Sequence, residues 1–305
     1  MLIERLANLS GVPESKLHHL ARTASSRYKV YYIPKRGGGH RQIAHPSRAL
    51  KAVQRWISKV VISEFPVHDC ATAYKIGASI RENASRHAQT NFTLRMDFSD
   101  FFPSFSFQNI FDFIDKTNLE MRLGLSESDL GFIAAILTRN GSVTIGAPSS
   151  PAITNAIMYD FDRHVCDIAQ KNGLIYTRYA DDLFISARVP NTLEHISRQV
   201  AEACANTPCA NLAINHHKTA YLSKRYRRSI TGLIITPDGN VSVGRQRKRE
   251  IKSLVHLYTL NKLEKIKLQE LQGLVAFVKG VDFAFYAALR KKYGDEAIER
   301  LLRRE

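Results

Sequence analysis

Alternating apolar and polar residues predict β-strands in two parts of the chain. Between residues 92 and 97 every second side chain is apolar, which is the period of a strand and leaves Asp97 on the polar face. Two further β-rich runs, 174–179 and 183–187, flank a pair of adjacent aspartates and predict a hairpin with two carboxylates at its turn. The pattern therefore places acidic side chains at the ends of strands.

Apolar residues at helical spacing predict α-helices around residues 50–61 and 107–114, and again at 251–258 and 268–278. An extended stretch at 28–33 leads into three consecutive glycines between basic residues, which predicts a hairpin tip. Together these elements predict an α+β fold with a small helical bundle after it.

The distribution of charge adds a function class to this picture. The chain has 305 residues, 44% hydrophobic and 24% charged, a globular composition that excludes a disordered or fibrous protein. Of its net charge of +16, residues 1–59 hold 12 Lys and Arg against 2 acids, residues 60–238 hold 17 against 18, and residues 239–305 hold 15 against 8. Basic ends around a neutral centre suit nucleic acid held on two sides, because phosphate neutralisation supplies most of its affinity. Basic faces that only aid solubility are the alternative.

Two further features concern location. No apolar run approaches the roughly 18 residues that a membrane span needs, and Glu4 and Arg5 interrupt any signal-peptide core. The cysteines form no CxxC pair, so neither a zinc ribbon nor a disulfide framework is predicted; they are Cys70, Cys166, Cys204 and Cys209. We expect a cytoplasmic protein with reduced thiols and no membrane partner.

The adjacent aspartates Asp181 and Asp182 suggest metal chemistry. Two acids at a tight turn repel each other, and a bound cation is the natural compensation. With Asp97 they could hold two Mg²⁺ ions about 3.5–4 Å apart, which activate a 3′ hydroxyl and stabilise a leaving pyrophosphate. Oxygen ligands favour Mg²⁺ over zinc. A merely polar turn is the alternative.

Four motifs, in order, resemble those of reverse transcriptases. They are Asp97-Phe-Ser-Asp-Phe-Phe-Pro-Ser104, Gly146-Ala-Pro-Ser-Ser-Pro151, Tyr179-Ala-Asp-Asp182 and Asn215-His-His-Lys218. Two more runs resemble the NAxxH and VTG signatures of bacterial retron reverse transcriptases, namely Asn83-Ala-Ser-Arg-His87 and Ile230-Thr-Gly-Leu233. Ile145 stands where the family usually has Gln, a departure that removes an amide from near the incoming nucleotide.

The resemblance implies a right-hand polymerase. Residues 1–93 would form the fingers and N-terminal region, and residues 94–238 the palm, with a fingers-like insertion at about 104–145. Residues 239–305 would form a basic helical thumb.

The resemblance also implies roles for single residues. The metals would be bound by Asp97, Asp181, Asp182 and the carbonyl of Phe98, and Lys218 would protonate pyrophosphate. Nucleotide-binding positions would be Lys35 or Arg36, Arg41, Asp100, Phe101, Phe102 and Gly146. Phe102 would be the steric gate, an aromatic ring that collides with a ribose 2′-OH. Helix capping is the alternative role for Asp100, and core packing is the alternative role for Phe102. RNA or primer would contact Asn83, His87, Thr231, Gly232, Arg245, Arg247, Lys248 and Arg249, with a structural role as the alternative for Asn83 and His87.

The expected function is retron-type RNA-directed DNA synthesis. By resemblance, the enzyme would copy part of a cognate structured non-coding RNA, from deoxynucleoside triphosphates, into a short single-stranded DNA joined to RNA. A guanosine 2′-OH would prime it, and a separate effector protein would act with it in antiphage defence. Two alternatives stay open: an intron-derived or diversity-generating reverse transcriptase, and a catalytically weak RNA-binding subunit of a defence complex.

Overall fold

The computed structural model describes residues 1–35 and 38–303. Its helices are α1 Leu2–Ser10, α2 Glu14–Arg22, α3 Arg48–Val60, α4 Ile80–Arg86, α5 Phe107–Met121, α6 Glu127–Leu137, α7 Ser150–Ile157, α8 Tyr159–Lys171, α9 Glu194–Ala205, α10 Arg245–Thr259, α11 Lys265–Val281, α12 Phe283–Tyr293 and α13 Asp295–Leu302. Its strands are β1 Tyr28–Pro34, β2 His40–Pro46, β3 Phe92–Asp97, β4 Ile175–Tyr179, β5 Asp182–Ala187, β6 Ala220–Ser223, β7 Arg228–Ile230, β8 Leu233–Ile235 and β9 Val241–Ser242.

The central sheet has the strand order β4-β5-β3-β6, and all its pairs are antiparallel. Both predicted strand regions are confirmed: β3 is the alternating run, and β4 and β5 are the two arms of the hairpin. One face of the sheet, with Leu94, Met96 and Leu183, is buried in the main apolar core beside residues of α5, α6 and α8. The α+β prediction is therefore correct.

The opposite face of the sheet carries polar residues, as the alternation predicts. These residues are nevertheless buried: Thr93 is 0% exposed and Asp97 is only 7% exposed. The reason is tertiary: α4 and the residue that follows it, His87, cover this face. Polar residues on β3 and β5 therefore pair with other protein groups or lie in the site itself.

The hairpin β1–β2 confirms the predicted glycine tip, with Pro34 opposite His40. Arg36 lies outside the described residues. The base of the hairpin is fastened by the Ala44 N–H, which donates to the Ile145 carbonyl at 2.8 Å. Gly146 has φ +112°, and a β-carbon there would lie 2.6 Å from the Ala44 oxygen, so the close approach requires glycine.

The C-terminal helices form the predicted bundle around a second apolar cluster, which includes Val255, Leu271 and Leu289. This cluster also contains residues of α4, β5 and the small sheet β7-β8-β9, among them Ala84 and Phe184. The bundle is thus packed against the covered face of the central sheet. Among residues 1–35 and 38–303, no helix has the length and apolar character that crossing a bilayer demands.

Candidate active site

Three acidic side chains meet where the two central strands end. Asp97 is the last residue of β3 and lies opposite Asp182, the first residue of β5. Asp181 is the second residue of the turn before β5, and its carbonyl accepts the Phe98 N–H at 3.3 Å. Ala180, the first turn residue, has φ +59°, a left-handed conformation that costs an alanine free energy. The local fold therefore maintains a strained turn that presents the carboxylates.

The electrostatics of these acids differ from those of ordinary surface carboxylates. Burial, followed by the neighbouring charges of Asp181 and Asp97, raises the pKa of Asp182 to about 6. Burial and the Asp97 charge also raise the pKa of Asp181. The three acids do not converge as a metal-ligand group: within the described residues, no choice of one oxygen atom from each brings all three within 4.8 Å of one another. Nearby cations, Lys218 among them, offset only part of the repulsion among the like charges at this end of the sheet.

Asp97 itself is split between two environments. Its Oδ2 accepts a hydrogen bond from the Lys218 ammonium, while its Oδ1 is buried with no hydrogen-bond partner in the described part of the chain. Lys218 is brought there by a short 3₁₀ helix, His216–Lys218, and its side chain is 57% exposed. The residue predicted to act on pyrophosphate is therefore within reach of the acids, and its chemical role stays a prediction.

A buried ion pair supports the turn that carries Asp181. The Arg178 guanidinium is fully buried and donates to both carboxylate oxygens of Asp162, with Nη2 and Oδ2 2.6 Å apart. Its Nη1 donates to the Ala180 carbonyl at 3.1 Å and to the Asn155 side chain at 3.0 Å. Sequence reasoning missed this pair. An arginine inside a short run of β-forming residues is the available signal.

The predicted nucleotide-binding positions are divided by the fold. Arg41 is exposed on β2, and its charge lowers the pKa of Asp181, which places it within electrostatic range of the site. Lys35 is exposed at the hairpin tip. Asp100 is exposed with φ +44°, and its carbonyl, not its carboxylate, accepts the Ser104 N–H at 3.0 Å. The expectation of side-chain capping by Asp100 is therefore wrong.

The aromatic positions separate in the same way. Phe101 is buried, stacks on Phe98 at 5.3 Å and packs edge-on against Phe105 at 5.2 Å. The core therefore surrounds the ring of Phe101, and a contact of this residue with nucleotide stays a prediction. Phe102 is only partly buried, at the edge of this cluster. Of the two rings, Phe102 is the one that a nucleotide can meet.

Asn83 and His87 form a buried polar chain instead of an RNA contact. His87 Nδ1 hydrogen-bonds Ser186 Oγ, and its Nε2 hydrogen-bonds Thr177 Oγ1, both at 2.8 Å. Thr177 donates onward to Asn83 Oδ1 at 2.6 Å. Ser186 also bonds Thr93 at 2.8 Å, so the chain connects β3, β5, β4 and α4.

This burial corrects the role predicted for both residues. Asn83 and His87 are 0% exposed, so neither can touch RNA or primer in this fold. Burial, followed by the charge of Arg228, lowers the pKa of His87 to about 3, which keeps the ring neutral. The directions of the bonds then follow: Nε2–H donates to Thr177, and Nδ1 accepts from Ser186. The structural alternative is the one that fits.

The Ile230-Thr-Gly-Leu233 run lies beside the same helix. Ile230 pairs with Leu233, and the two turn residues Thr231 and Gly232 have φ +47° and +80°, the signs of a type I′ hairpin. The Thr231 hydroxyl donates to the Ile80 carbonyl at the start of α4, at 3.1 Å. The two retron-like signatures, far apart in sequence, therefore meet at α4.

The basic cluster at the start of α10 also divides. Lys248 forms a 2.8 Å ion pair with Asp282, a buried carboxylate that also accepts the Phe285 N–H and so caps α12. Arg247 lies over the Phe277 ring at 5.6 Å. Arg245 and Arg249 are exposed. Two of the four predicted phosphate contacts are thus already engaged within the protein.

Comparison with known proteins decides the family. Residues 33–254 match the family described as reverse transcriptase (RNA-dependent DNA polymerase). The retron Ec83 reverse transcriptase of Escherichia coli is 33% identical over 285 residues, covering 91% of this chain and 90% of the relative. The chain belongs to the retron reverse transcriptases. The retron Ec86 enzyme of Escherichia coli is 30% identical, covering 93% and 88%. The retron Mx162 enzyme of Myxococcus xanthus is 29% identical, covering 92% and 64%.

The fold of this reverse transcriptase also occurs in a solved telomerase. The apo telomerase of Candida tropicalis superposes with a TM-score of 0.51 at 11% identity, and the match covers 88% of this chain and 58% of that one. At that identity the likeness concerns the fold alone. It supports the polymerase architecture that the motifs implied, and the enzyme is an RNA-directed DNA polymerase.

Reverse transcriptases use divalent metal ions, and the acidic end of the sheet fits such ions. The unpartnered Asp97 Oδ1 is a buried acceptor without a donor. The raised pKa of Asp182 means that the protein's own cations do not fully stabilise the ionised carboxylate. All the donors here are oxygen atoms, which suits hard divalent cations.

Proposed function

We propose that this enzyme reverse-transcribes part of a cognate structured RNA into a short single-stranded DNA that remains joined to RNA through a guanosine 2′-OH. Two Mg²⁺ ions would be held by Asp97, Asp181, Asp182 and the carbonyl of Phe98. The observation that carries the polymerase chemistry is the group of buried and partly buried, mutually repelling carboxylates at the facing ends of β3 and β5. When bound, such ions activate the primer hydroxyl and neutralise charge on the phosphates.

The chain's own residues supply the rest of the site. Arg41 would bind the triphosphate of an incoming nucleotide, and its electrostatic effect on Asp181 supports this role. Lys218 pairs with Asp97 and is more than half exposed, so rotation of its side chain brings the ammonium to a bound phosphate. The Arg178–Asp162 pair holds the turn in place while these groups act.

Domain roles belong to the same proposal. We assign the fingers and N-terminal region to residues 1–93, the palm to 94–238 and the thumb to 239–305. RNA and DNA would lie against the two basic ends, with Arg245 and Arg249 on the exposed surface of α10 contacting phosphates. Antiphage defence with a separate effector protein is the biological setting that we propose.

Phe102 is the proposed selector of deoxynucleotides. Its partly buried ring lies at the edge of the aromatic cluster, five residues after Asp97. Because the discrimination is steric repulsion of a ribose 2′-OH, Phe102→Ala should raise ribonucleotide incorporation relative to deoxynucleotide incorporation. Single-nucleotide extension assays measure this ratio, with Phe107→Ala as a control for loss of another partly buried ring. An unchanged ratio in a folded, active variant leaves Phe102 as a packing residue.

Nucleic acid that co-purifies with the enzyme tests the whole proposal. The protein is expressed with its native flanking sequence, and bound RNA and DNA are sequenced with and without a 2′,5′-debranching enzyme. We expect one dominant structured RNA and a short DNA that only debranching releases. A DNA joined by ordinary 3′,5′ linkage supports an intron-derived or diversity-generating enzyme instead. RNA without any DNA, and no synthesis in vitro, supports the RNA-binding subunit.

A further inference from the structure

Three side chains outside the active site bring metal-binding atoms together. One ligand atom from each of His68, Cys70 and Cys166 lies within 4.8 Å of the other two. His68 and Cys70 belong to the segment before α4, whereas Cys166 lies on α8. Across residues 1–35 and 38–303, no other three His, Cys, Asp or Glu side chains converge as closely.

We propose that His68, Cys70 and Cys166 bind one Zn²⁺ ion. Two sulfur atoms and one imidazole nitrogen are the donor set that zinc prefers, and they disfavour Mg²⁺. Zinc–ligand bonds of about 2.3 Å to sulfur and about 2.0 Å to nitrogen place tetrahedral ligand atoms roughly 3.5–3.8 Å apart. Small side-chain rotations reach that spacing. His68 and Cys166 are partly exposed, so solvent can supply a fourth ligand.

Ligation by His68 would replace one hydrogen bond. The Cys70 N–H donates to His68 Nδ1 at 3.3 Å, so Nδ1 is the unprotonated nitrogen, and a metal bound there would take the place of this long hydrogen bond. The imidazole edge also packs against the Tyr159 ring, with centroids 5.6 Å apart, which restricts its rotation. Binding releases the protons of the two thiols to solvent and involves no oxidation or reduction.

The position of the cluster indicates what the ion does. The Cys70 carbonyl accepts the Arg178 N–H at 2.8 Å, and the Thr72 N–H donates to the Arg178 carbonyl at 2.8 Å. Asp162, which binds the Arg178 guanidinium, lies one helical turn before Cys166 on α8. The ion therefore joins the two elements that hold Arg178. It is a structural ion that stiffens the support of the catalytic turn.

Cobalt substitution tests the site independently of DNA synthesis. Reduced, chelator-treated full-length protein is titrated with Co²⁺, and absorption is recorded. We expect one equivalent of Co²⁺ to produce thiolate-to-cobalt charge transfer and intense tetrahedral visible bands, which Zn²⁺ then abolishes. Carboxylate-bound Co²⁺ at the active site lacks the thiolate band, so Asp181→Asn should leave the signal unchanged.

Two comparisons decide the outcome. Cys166→Ser should lose the thiolate band, whereas Cys204→Ser, at a cysteine outside the cluster, should retain it. In the wild-type protein, Zn²⁺ should slow alkylation of Cys166 at least tenfold and leave the partly exposed Cys209 unaffected. The proposal is overturned if no thiolate band forms, or if Zn²⁺ leaves Cys166 alkylation unchanged. A Cys70–Cys166 disulfide in unreduced protein, with no band after reduction, identifies a redox pair instead.

Discussion

The two ends of one strand pair treat buried polar groups in opposite ways. β3 and β5 present Thr93 opposite Ser186 at one end and Asp97 opposite Asp182 at the other, on the same face. At the first end the hydroxyls bond each other, and His87 continues the chain of hydrogen bonds. At the second end two carboxylates face each other with raised pKa or an unpartnered oxygen. The satisfied end fixes the register of the strands, and the unsatisfied end is available for chemistry.

Helix α10, in the proposed thumb, shows the same contrast. Lys248 forms an ion pair with the buried Asp282, so the charge of Lys248 is already paired within the protein. Arg245 and Arg249 project from the same segment into solvent. A residue's engagement inside the protein, and not its type, separates support from function in both places.

The largest expected effect is at the unsatisfied end. Asp181→Asn should lower metal-dependent DNA synthesis by on the order of 10³-fold or more, because one metal-binding carboxylate is lost. The variant should keep its fold and its RNA affinity. Primer extension and filter binding measure the two quantities, with Asp167→Asn, an exposed acid on α8, as the control. Undiminished extension contradicts the metal-site assignment.

The satisfied end should respond through stability. His87→Ala leaves Ser186 and Thr177 without a partner, so we expect the free energy of unfolding to fall by about 2–4 kcal/mol. The initiation and extension rates should then fall by the same factor. Chemical denaturation and paired kinetic assays test this, with the exposed His164→Ala as control. Unchanged stability combined with slower initiation alone restores a direct role in priming.

The pH dependence of stability distinguishes the two ends further. A carboxyl whose folded pKa of about 6 exceeds its unfolded value of 3.8 destabilises the fold as pH rises through that window, and the full penalty is present above pH 6. Asp182→Asn should therefore stabilise the metal-free protein by on the order of 1–3 kcal/mol at pH 7. The gain should shrink towards pH 4.5.

Urea denaturation of both proteins at the two pH values gives this difference, because titration of other groups cancels between them. Mg²⁺ should narrow the gap at pH 7 by stabilising the wild-type protein more strongly. If the stability gained by Asp182→Asn does not depend on pH, the folded protein does not disfavour the ionised form of Asp182.

The smallest expected effect concerns RNA binding by α10, in the proposed thumb. Arg245→Gln combined with Arg249→Gln should reduce the log–log salt dependence of RNA binding by close to two units, one for each lost phosphate contact. Lys248→Gln should change the slope little and lower the free energy of unfolding by about 1–3 kcal/mol, because Asp282 loses its cation. Binding isotherms at several salt concentrations check the first, and denaturation the second. Equal slopes for both variants contradict the division of the cluster.

The sequence predicts the strands at the site well because their signals are local. Alternation gave β3, and two β-rich runs gave the hairpin that carries Asp181 and Asp182. The second face of the sheet is covered by α4 and His87. No local sequence pattern shows that His87 will contact Ser186, which is 99 residues away. For the same reason the sequence wrongly predicts that Asn83 and His87 contact RNA. It also cannot show that Lys248 is already paired with Asp282. Ligand atoms from His68 and Cys166 likewise converge only after folding, so cysteine spacing gave no sign of them.

The hydrogen bond from Thr231 to the start of α4 has a consequence for engineering. The C-terminal helices share one apolar cluster with β7, β8 and α4, so they are not a detachable module. A chimera that exchanges residues 239–305 alone with a relative cuts through that cluster. Exchanging 79–90 and 228–305 together keeps the cluster intact except for its contacts with β4 and β5, among them Phe184, and such paired grafts should express as folded protein where single grafts aggregate.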